Sequence, residues 1–109
     1  AGKSVFARAL MRALGVADEF MPSPTFAIIQ EYDGKDCRIA HMDWYRVEGE
    51  QELEAIGARE YFQPPWICLI EWPERAESLI SPHAWHIALS LVPDQPDIRL
   101  IDIAPRKAE

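Results

Sequence analysis

The chain opens on Gly2-Lys3-Ser4, directly ahead of a stretch patterned as a one-sided helix. Gly-Lys-Ser at a helix start matches the end of the phosphate-binding pattern G-x-x-x-x-G-K-[ST]. There, glycine lets the backbone approach a phosphate, the helix N-terminus faces the anion, and lysine reaches the β- and γ-phosphates. The serine hydroxyl binds Mg²⁺. The same tripeptide also occurs in ordinary surface turns, so later parts of the chain must decide between the two interpretations.

Composition places the chain among ordinary globular proteins. Its 109 residues are 49% hydrophobic and 27% charged, which predicts a single domain over residues 1–109. The net charge of −7 argues against nucleic-acid binding by this chain alone, since that binding needs a basic face.

No apolar run approaches the roughly 20 residues of a membrane helix. Cys37 and Cys68 lack metal-site spacing, and we expect reduced core thiols in a cytoplasmic protein.

Three parts of the chain have helical patterns. Residues 5–14 predict a helix that ends at Gly15, with Arg8 and Arg12 on its polar face. The apolar positions of that helix are Phe6, Ala9, Leu10, Ala13 and Leu14. Residues 48–56 predict a short solvated helix ended by Gly57, and 58–62 and 74–80 predict one or two helical turns each.

Five further stretches predict strands. Residues 27–32 and 37–43 form a hairpin around a turn at Asp33-Gly34. Residues 66–70 are a continuous apolar run bounded by prolines and ending on Glu71, which predicts a strand buried on both faces. Residues 85–91 and 98–103 alternate in polarity and predict an antiparallel pair that closes the sheet. We expect the tail over 104–109 to be disordered.

Two acidic residues share one position in this pattern. Asp43 and Glu71 are each the first acid after an apolar strand. Ligands of open α/β sheets bind outside the carboxyl ends of the strands, where a phosphate-loop helix also begins. Acids at that edge can hold Mg²⁺ and orient or deprotonate an attacking water. Strand-end acids also occur as solvent-facing turn residues, and Gly2-Lys3-Ser4 favours the functional interpretation here.

Four motifs in a fixed order extend the argument. They are Gly2-Lys3-Ser4, Ser23-Pro24-Thr25-Phe26, the stretch HMDWYR at 41–46 and the stretch LIEWPER at 69–75. With G-K-[ST], S-P-T-F, H-x-D-x-Y-R and E-W-P-E in this order, the chain resembles the TsaE (YjeE) family. Members of that family are small bacterial ATPases of tRNA threonylcarbamoyladenosine biosynthesis. The resemblance runs from Ala1 to about Leu91.

The resemblance implies an α/β fold of the P-loop NTPase type, a three-layer sandwich with a mixed sheet. The N-terminal strands and the front of the phosphate loop are then expected ahead of Ala1. ATP and Mg²⁺ are the implied ligands. Gly2 and Lys3 would contact the phosphates, Ser4 would bind Mg²⁺, and Thr25 would sense the γ-phosphate.

The resemblance also assigns roles to the strand-end residues. Asp43 would act as the Walker-B-like acid and a magnesium ligand, and Glu71 would position or activate water. Trp72 would lie beside Glu71, at the nucleotide site or at a partner surface. His41, a lone histidine within a predicted strand, is expected to be structural.

The implied partner is the TsaD–TsaB complex, with tRNA reached only through it and no membrane involved. Two other functions remain open. One is a small-molecule kinase of the same fold, although the arginines are scattered and no lid-sized insertion exists. The other is a non-enzymatic binding module with a vestigial phosphate loop. The sequence leaves open the oligomeric state and whether hydrolysis drives catalysis or complex disassembly.

Overall fold

The computed structural model describes residues 3–17, 28–81 and 84–105. The helices there are α1 (Lys3–Ala13), α2 (Glu50–Ala55) and two 3₁₀ helices, Ala58–Phe62 and Pro73–Leu79. The strands are β1 (Ile29–Asp33), β2 (Arg38–Asp43), β3 (Trp66–Glu71), β4 (Trp85–Val92) and β5 (Gln95–Pro105). None of the described helices is long and apolar enough to cross a membrane.

The central sheet has the strand order β1-β2-β3. The predicted hairpin is confirmed, because β1 and β2 pair antiparallel from Ile29↔Met42 to Asp33↔Arg38. Strand β3 pairs parallel to β2 from Arg38↔Trp66 to Asp43↔Glu71. A parallel pair needs a crossover connection, and α2 with the first 3₁₀ helix supplies it. The sheet is therefore mixed, as predicted.

The two faces of β2 are buried against different helices. On one face, Ile39 packs in a cluster with Met11 of α1, Val16 and Tyr32. On the other, Ala40 and Met42 belong to a cluster that is completed by Trp44, Val47, Leu53, Ala58 and Ala76. The sheet thus has α1 on one side and α2 with the 3₁₀ helices on the other. Side chains at odd positions of β2 face α1.

Helix α1 ends in a hydrogen-bonded cap that also joins it to the β1–β2 turn. Gly15 has a φ of 98°, and the N–H groups of Gly15 and Val16 donate to the carbonyls of Arg12 and Met11, a Schellman motif. The Leu14 carbonyl accepts from the backbone N–H of Lys35 at 2.8 Å. The stop at Gly15 is confirmed, and this contact fixes the helix against the sheet.

The predicted apolar face of α1 is partly wrong. Its buried residues are Ala7 and Met11, whereas Ala9 and Ala13 are exposed. Phe6 and Leu10 are half-buried, as is Leu14. The helix is rotated so that Met11 reaches Ile39, and alanine, with little apolar area to lose, tolerates the exposed side.

Strand β3 is not buried on both faces. Its residues are half-buried at best, and Ile67 is 37% exposed. Within the described residues β3 is the edge of its sheet, so one side lacks the neighbour that would bury it.

Strands β4 and β5 do form the predicted antiparallel pair, from Trp85↔Pro105 to Val92↔Gln95. They do not close the central sheet, because they form a separate two-stranded sheet. Residues 104 and 105 belong to β5. The prediction of a disordered tail over 104–109 is therefore wrong for these two residues. Residues 106–109 lie outside the described residues.

The two cysteines carry free thiols, but they are half-buried and not in the core positions expected. Burial raises the pKa of Cys68 to about 12, which keeps that thiol protonated and unreactive at neutral pH.

Replacing Gly15 by alanine tests the helix cap. The alanine would have to keep the positive φ of Gly15, and its Cβ would lie 2.6 Å from the backbone nitrogen of Lys35. We expect Gly15→Ala to lower the free energy of unfolding by about 2 kcal/mol or more, measured by urea titration. Gly49→Ala is the matched control, because its backbone is extended and no atom lies within 4 Å of the new Cβ. We expect it to cost less than about 1 kcal/mol. Equal losses in the two variants would contradict this account of the cap.

Candidate active site

The parallel pairing of β2 and β3 brings the two strand-end acids together. Asp43 and Glu71 are register partners, one at the end of each strand. The loops that follow are also tied, because the Trp44 N–H donates to the Glu71 carbonyl at 3.0 Å. The prediction that the two acids lie at one edge of the sheet is confirmed. Their roles stay predictions.

The Asp43 carboxylate is oriented by its own loop. Its Oδ1 accepts a 2.9 Å hydrogen bond from the backbone N–H of Tyr45, an Asx-turn geometry. Asp43 is half-buried. A carboxylate offers about four lone-pair sites, so this bond leaves the group able to accept a cation.

The Glu71 carboxylate is held by a histidine from the neighbouring strand. His41 Nε2 lies 2.7 Å from Glu71 Oε2, with side-chain exposures of 2% and 11%. Residues 41 and 71 lie diagonally across the β2–β3 pair, with Leu69 opposite His41 in the register. Burial of both groups shields the contact from water, which makes it stronger than a surface ion pair.

A stack of cations and rings adjoins the acids. Lys3 Nζ lies 4.0 Å from the centroid of the Trp72 ring. Trp72 in turn packs on Tyr45 with ring centroids 4.8 Å apart, and the Arg75 guanidinium lies 5.4 Å from the Tyr45 centroid. The backbone of Trp72 is left-handed, with a φ of 61°. Such a conformation costs a non-glycine residue about 1–3 kcal/mol, so the surrounding contacts must hold it.

Lys3 and Glu71 also line one cavity of about 710 Å³. Phe6 and Leu10 of α1 form one wall, β3 another, and residues 85–89 of β4 a third. The charged residues of the lining are Lys3, Glu71, Glu74 and Glu77. A volume of this order is typical of small-molecule sites. These charged side chains lie beside the end of β3, so polar contacts with a ligand would form there.

The structure therefore brings together four of the predicted site residues, namely Lys3, Asp43, Glu71 and Trp72. Ser4 follows Lys3 in the first turn of α1 and is half-buried. Gly2 and Thr25 lie outside the described residues.

Sequence reasoning missed the contact made by His41. It also gave Arg75 no place in the site, whereas Tyr45 was expected to brace the loop after Asp43, and its backbone N–H does bond the Asp43 carboxylate. A signal for His41 was present, because a residue two positions before Asp43 lies on the same face of the strand.

Comparisons with known proteins point to one family. The family model described as "Threonylcarbamoyl adenosine biosynthesis protein TsaE" matches residues 1–99. A Haemophilus influenzae protein named tRNA threonylcarbamoyladenosine biosynthesis protein TsaE is 33% identical over 93% of this chain. Proteins of the same name from Treponema pallidum and Bacillus subtilis are each 35% identical over 86% of it. The chain spans 63%, 68% and 58% of the lengths of these three relatives.

Proposed function

The chain belongs to the TsaE family, and we propose that it is the ATP-binding and ATP-hydrolysing subunit required for N6-threonylcarbamoyladenosine modification of tRNA. One observation supports this most directly. Asp43 and Glu71 end adjacent parallel strands, at the side of the site where Lys3 starts α1. That is the arrangement a P-loop NTPase needs, with phosphate-binding groups and hydrolytic acids at one sheet edge.

In this proposal the N-terminus of α1 binds the phosphates of ATP. The aligned N–H groups of the first turn favour an anion there, and Gly2 and Lys3, which come at the start of this helix in the sequence, would contact it. Lys3 rests over Trp72 in the structure, a contact worth about 0.5–1 kcal/mol at an exposed site. Its flexible side chain can exchange that contact for the stronger bond to a phosphate. Thr25 would respond to the γ-phosphate.

The residues present fit a magnesium ion. In the described part of the chain, no group of three or more histidine, cysteine or acidic side chains is arranged so that it could hold a metal ion by itself. Mg²⁺ needs no such cluster, because it binds through one or two protein oxygens together with phosphate oxygens and water. The Asp43 carboxylate and the Ser4 hydroxyl supply oxygens of this kind. When bound, the ion would neutralise charge on the β- and γ-phosphates.

Glu71 would act on the attacking water. With Oε2 bonded to His41, the carboxylate still has lone pairs that accept a hydrogen bond from water and orient its oxygen towards the γ-phosphorus. The water oxygen forms the new P–O bond, and the bond to the β–γ bridging oxygen breaks. ADP leaves with that electron pair, and the water proton passes to Glu71 or to the phosphate product.

Coupling to tRNA would pass through a protein interface with the TsaD–TsaB pair in the cytoplasm. The net charge of −7 leaves this chain poorly suited to hold RNA phosphates itself. Trp72 is 37% exposed beside the proposed hydrolytic acid, so a partner that contacts it would also affect the site. Ser23 to Phe26 are a second proposed contact, outside the described residues.

Calorimetry of ATP binding to the full-length protein tests the assigned contacts. Lys3→Ala removes a charged phosphate contact worth about 2 kcal/mol, so we expect the Kd for ATP to rise about 30-fold or more. Asp43→Ala should weaken ATP binding in Mg²⁺ but leave binding in EDTA unchanged.

Lys35→Ala is the matched control for Lys3→Ala, because it removes the same charge from an exposed turn. We expect wild-type affinity for this variant. Equal ATP affinity of Lys3→Ala and the wild type would refute the phosphate contact. An Asp43→Ala defect of the same size with and without Mg²⁺ would refute the metal role.

Steady-state ATPase assays with and without the TsaD–TsaB pair, at fixed salt, test the partner proposal. We expect low turnover alone and a rise when the partners are added. Trp72→Ala should reduce the stimulated turnover more than it reduces ATP affinity. Fast turnover that the partners leave unchanged would contradict a coupled subunit and favour an independent ATPase or a kinase.

A further inference from the structure

We propose that His41 is a positioning residue, which holds the Glu71 carboxylate in the orientation that hydrolysis requires. The inference rests on the proposed function, since it concerns the acid to which hydrolysis is assigned. His41 acts through Glu71 and contributes to turnover rather than to nucleotide affinity.

The geometry of the pair supports this role. His41 is 1% exposed, and its Nε2 lies 2.7 Å from Glu71 Oε2. An ionised carboxylate only accepts hydrogen bonds, so the imidazole N–H is the donor. A charge-assisted bond at this distance restricts rotation of the glutamate side chain, whose three dihedral angles otherwise allow many orientations.

The residues around His41 indicate that the His41–Glu71 pair is not needed for stability of the fold. Its neighbours on the same sheet face, Ile39 and Leu69, are apolar parts of the cluster against α1. A buried polar or ionic pair in such a place is often replaced by apolar residues with no loss of stability. Apolar side chains at both positions 41 and 71 would therefore satisfy packing, whereas they could not present an oriented carboxylate to the site.

The second ring nitrogen of His41 also supports a positioning role. His41 Nδ1 is buried and has no hydrogen-bond partner among the described residues. Most buried polar side-chain atoms have a hydrogen-bond partner, so an unpaired Nδ1 is not what a fully satisfied structural network would show. Among the described residues, Glu71 is therefore the hydrogen-bond partner that orients the His41 ring. The ring in turn orients the Glu71 carboxylate.

Paired substitutions at position 41 test the proposal in the full-length protein. His41→Leu keeps an apolar filling but removes the donor, and we expect kcat for ATP hydrolysis to fall about 10–100-fold, as for other residues that orient an active group. The Kd for ATP should stay within about threefold, because only orientation of the hydrolytic group changes. His41→Gln offers an amide N–H donor and should recover most of the lost kcat.

A double-substitution cycle separates positioning from a general structural role. If His41 acts through Glu71, then His41→Leu should add nothing to the loss in kcat caused by Glu71→Gln. Met42→Leu is the control for disturbance of β2, because Met42 is fully buried on the opposite sheet face. This volume-conserving exchange should leave kcat unchanged.

The outcomes separate the inference from the proposed function. Wild-type kcat in His41→Leu, or losses that multiply in the double variant, would overturn the inference alone. A loss in His41→Leu with no recovery in His41→Gln and a matching rise in Kd would also overturn it, since that pattern indicates a structural defect. A wild-type protein that neither binds nor hydrolyses ATP would overturn both.

Discussion

The parallel pairing of β2 with β3 is the constraint on which the site depends. Parallel strands end at the same side of a sheet, so two acids that are distant in sequence become register neighbours. An antiparallel pairing would place Asp43 and Glu71 at opposite ends. The crossover through α2 allows the parallel pairing, so it is required to bring the two acids together.

Burial fixes that pairing. Strand β2 is covered on one face by α1 and on the other by α2 and the 3₁₀ helices, with Ile39, Ala40 and Met42 fully buried. A slip of one residue would exchange those faces and bury the wrong side chains, so the register is strongly specified. The cap at Gly15 adds a second constraint, because it ties the end of α1 to the β1–β2 turn. Lys3 lies at the other end of α1, so the cap also helps to fix the position of Lys3.

Local patterns predicted much of this arrangement, while long-range packing was harder to foresee. The hairpin, the stop at Gly15 and the strand ending on Glu71 follow from turn residues and apolar runs, which are local. The burial of β3 and the placement of the β4–β5 pair depend on which strands become neighbours, and alternation within a strand carries no such information. The face of α1 was misjudged because alanines at 9 and 13 look apolar but lose little by exposure.

For the site, the sequence predicted Asp43 and Glu71 at one edge but treated His41 as a lone structural residue. Its contact with Glu71 crosses from one strand to the next, 30 residues apart. Alternation along β2 puts His41 on the same face as Asp43, but only the parallel register brings Glu71 beside it. Isolation in sequence is therefore a poor guide to isolation in space.

In the proposed site, nucleotide and metal bind where α1 begins and β2 and β3 end. Paramagnetic broadening of backbone amide signals by Mn²⁺·ATP in the full-length protein measures this directly, because Mn²⁺ takes the same oxygen ligands as Mg²⁺. We expect the strongest broadening at Ser4, Asp43 and Glu71, with little effect on the outer part of the β4–β5 pair around Asp94. Broadening centred on that pair, with the signals of Asp43 and Glu71 unchanged, would contradict the proposed site.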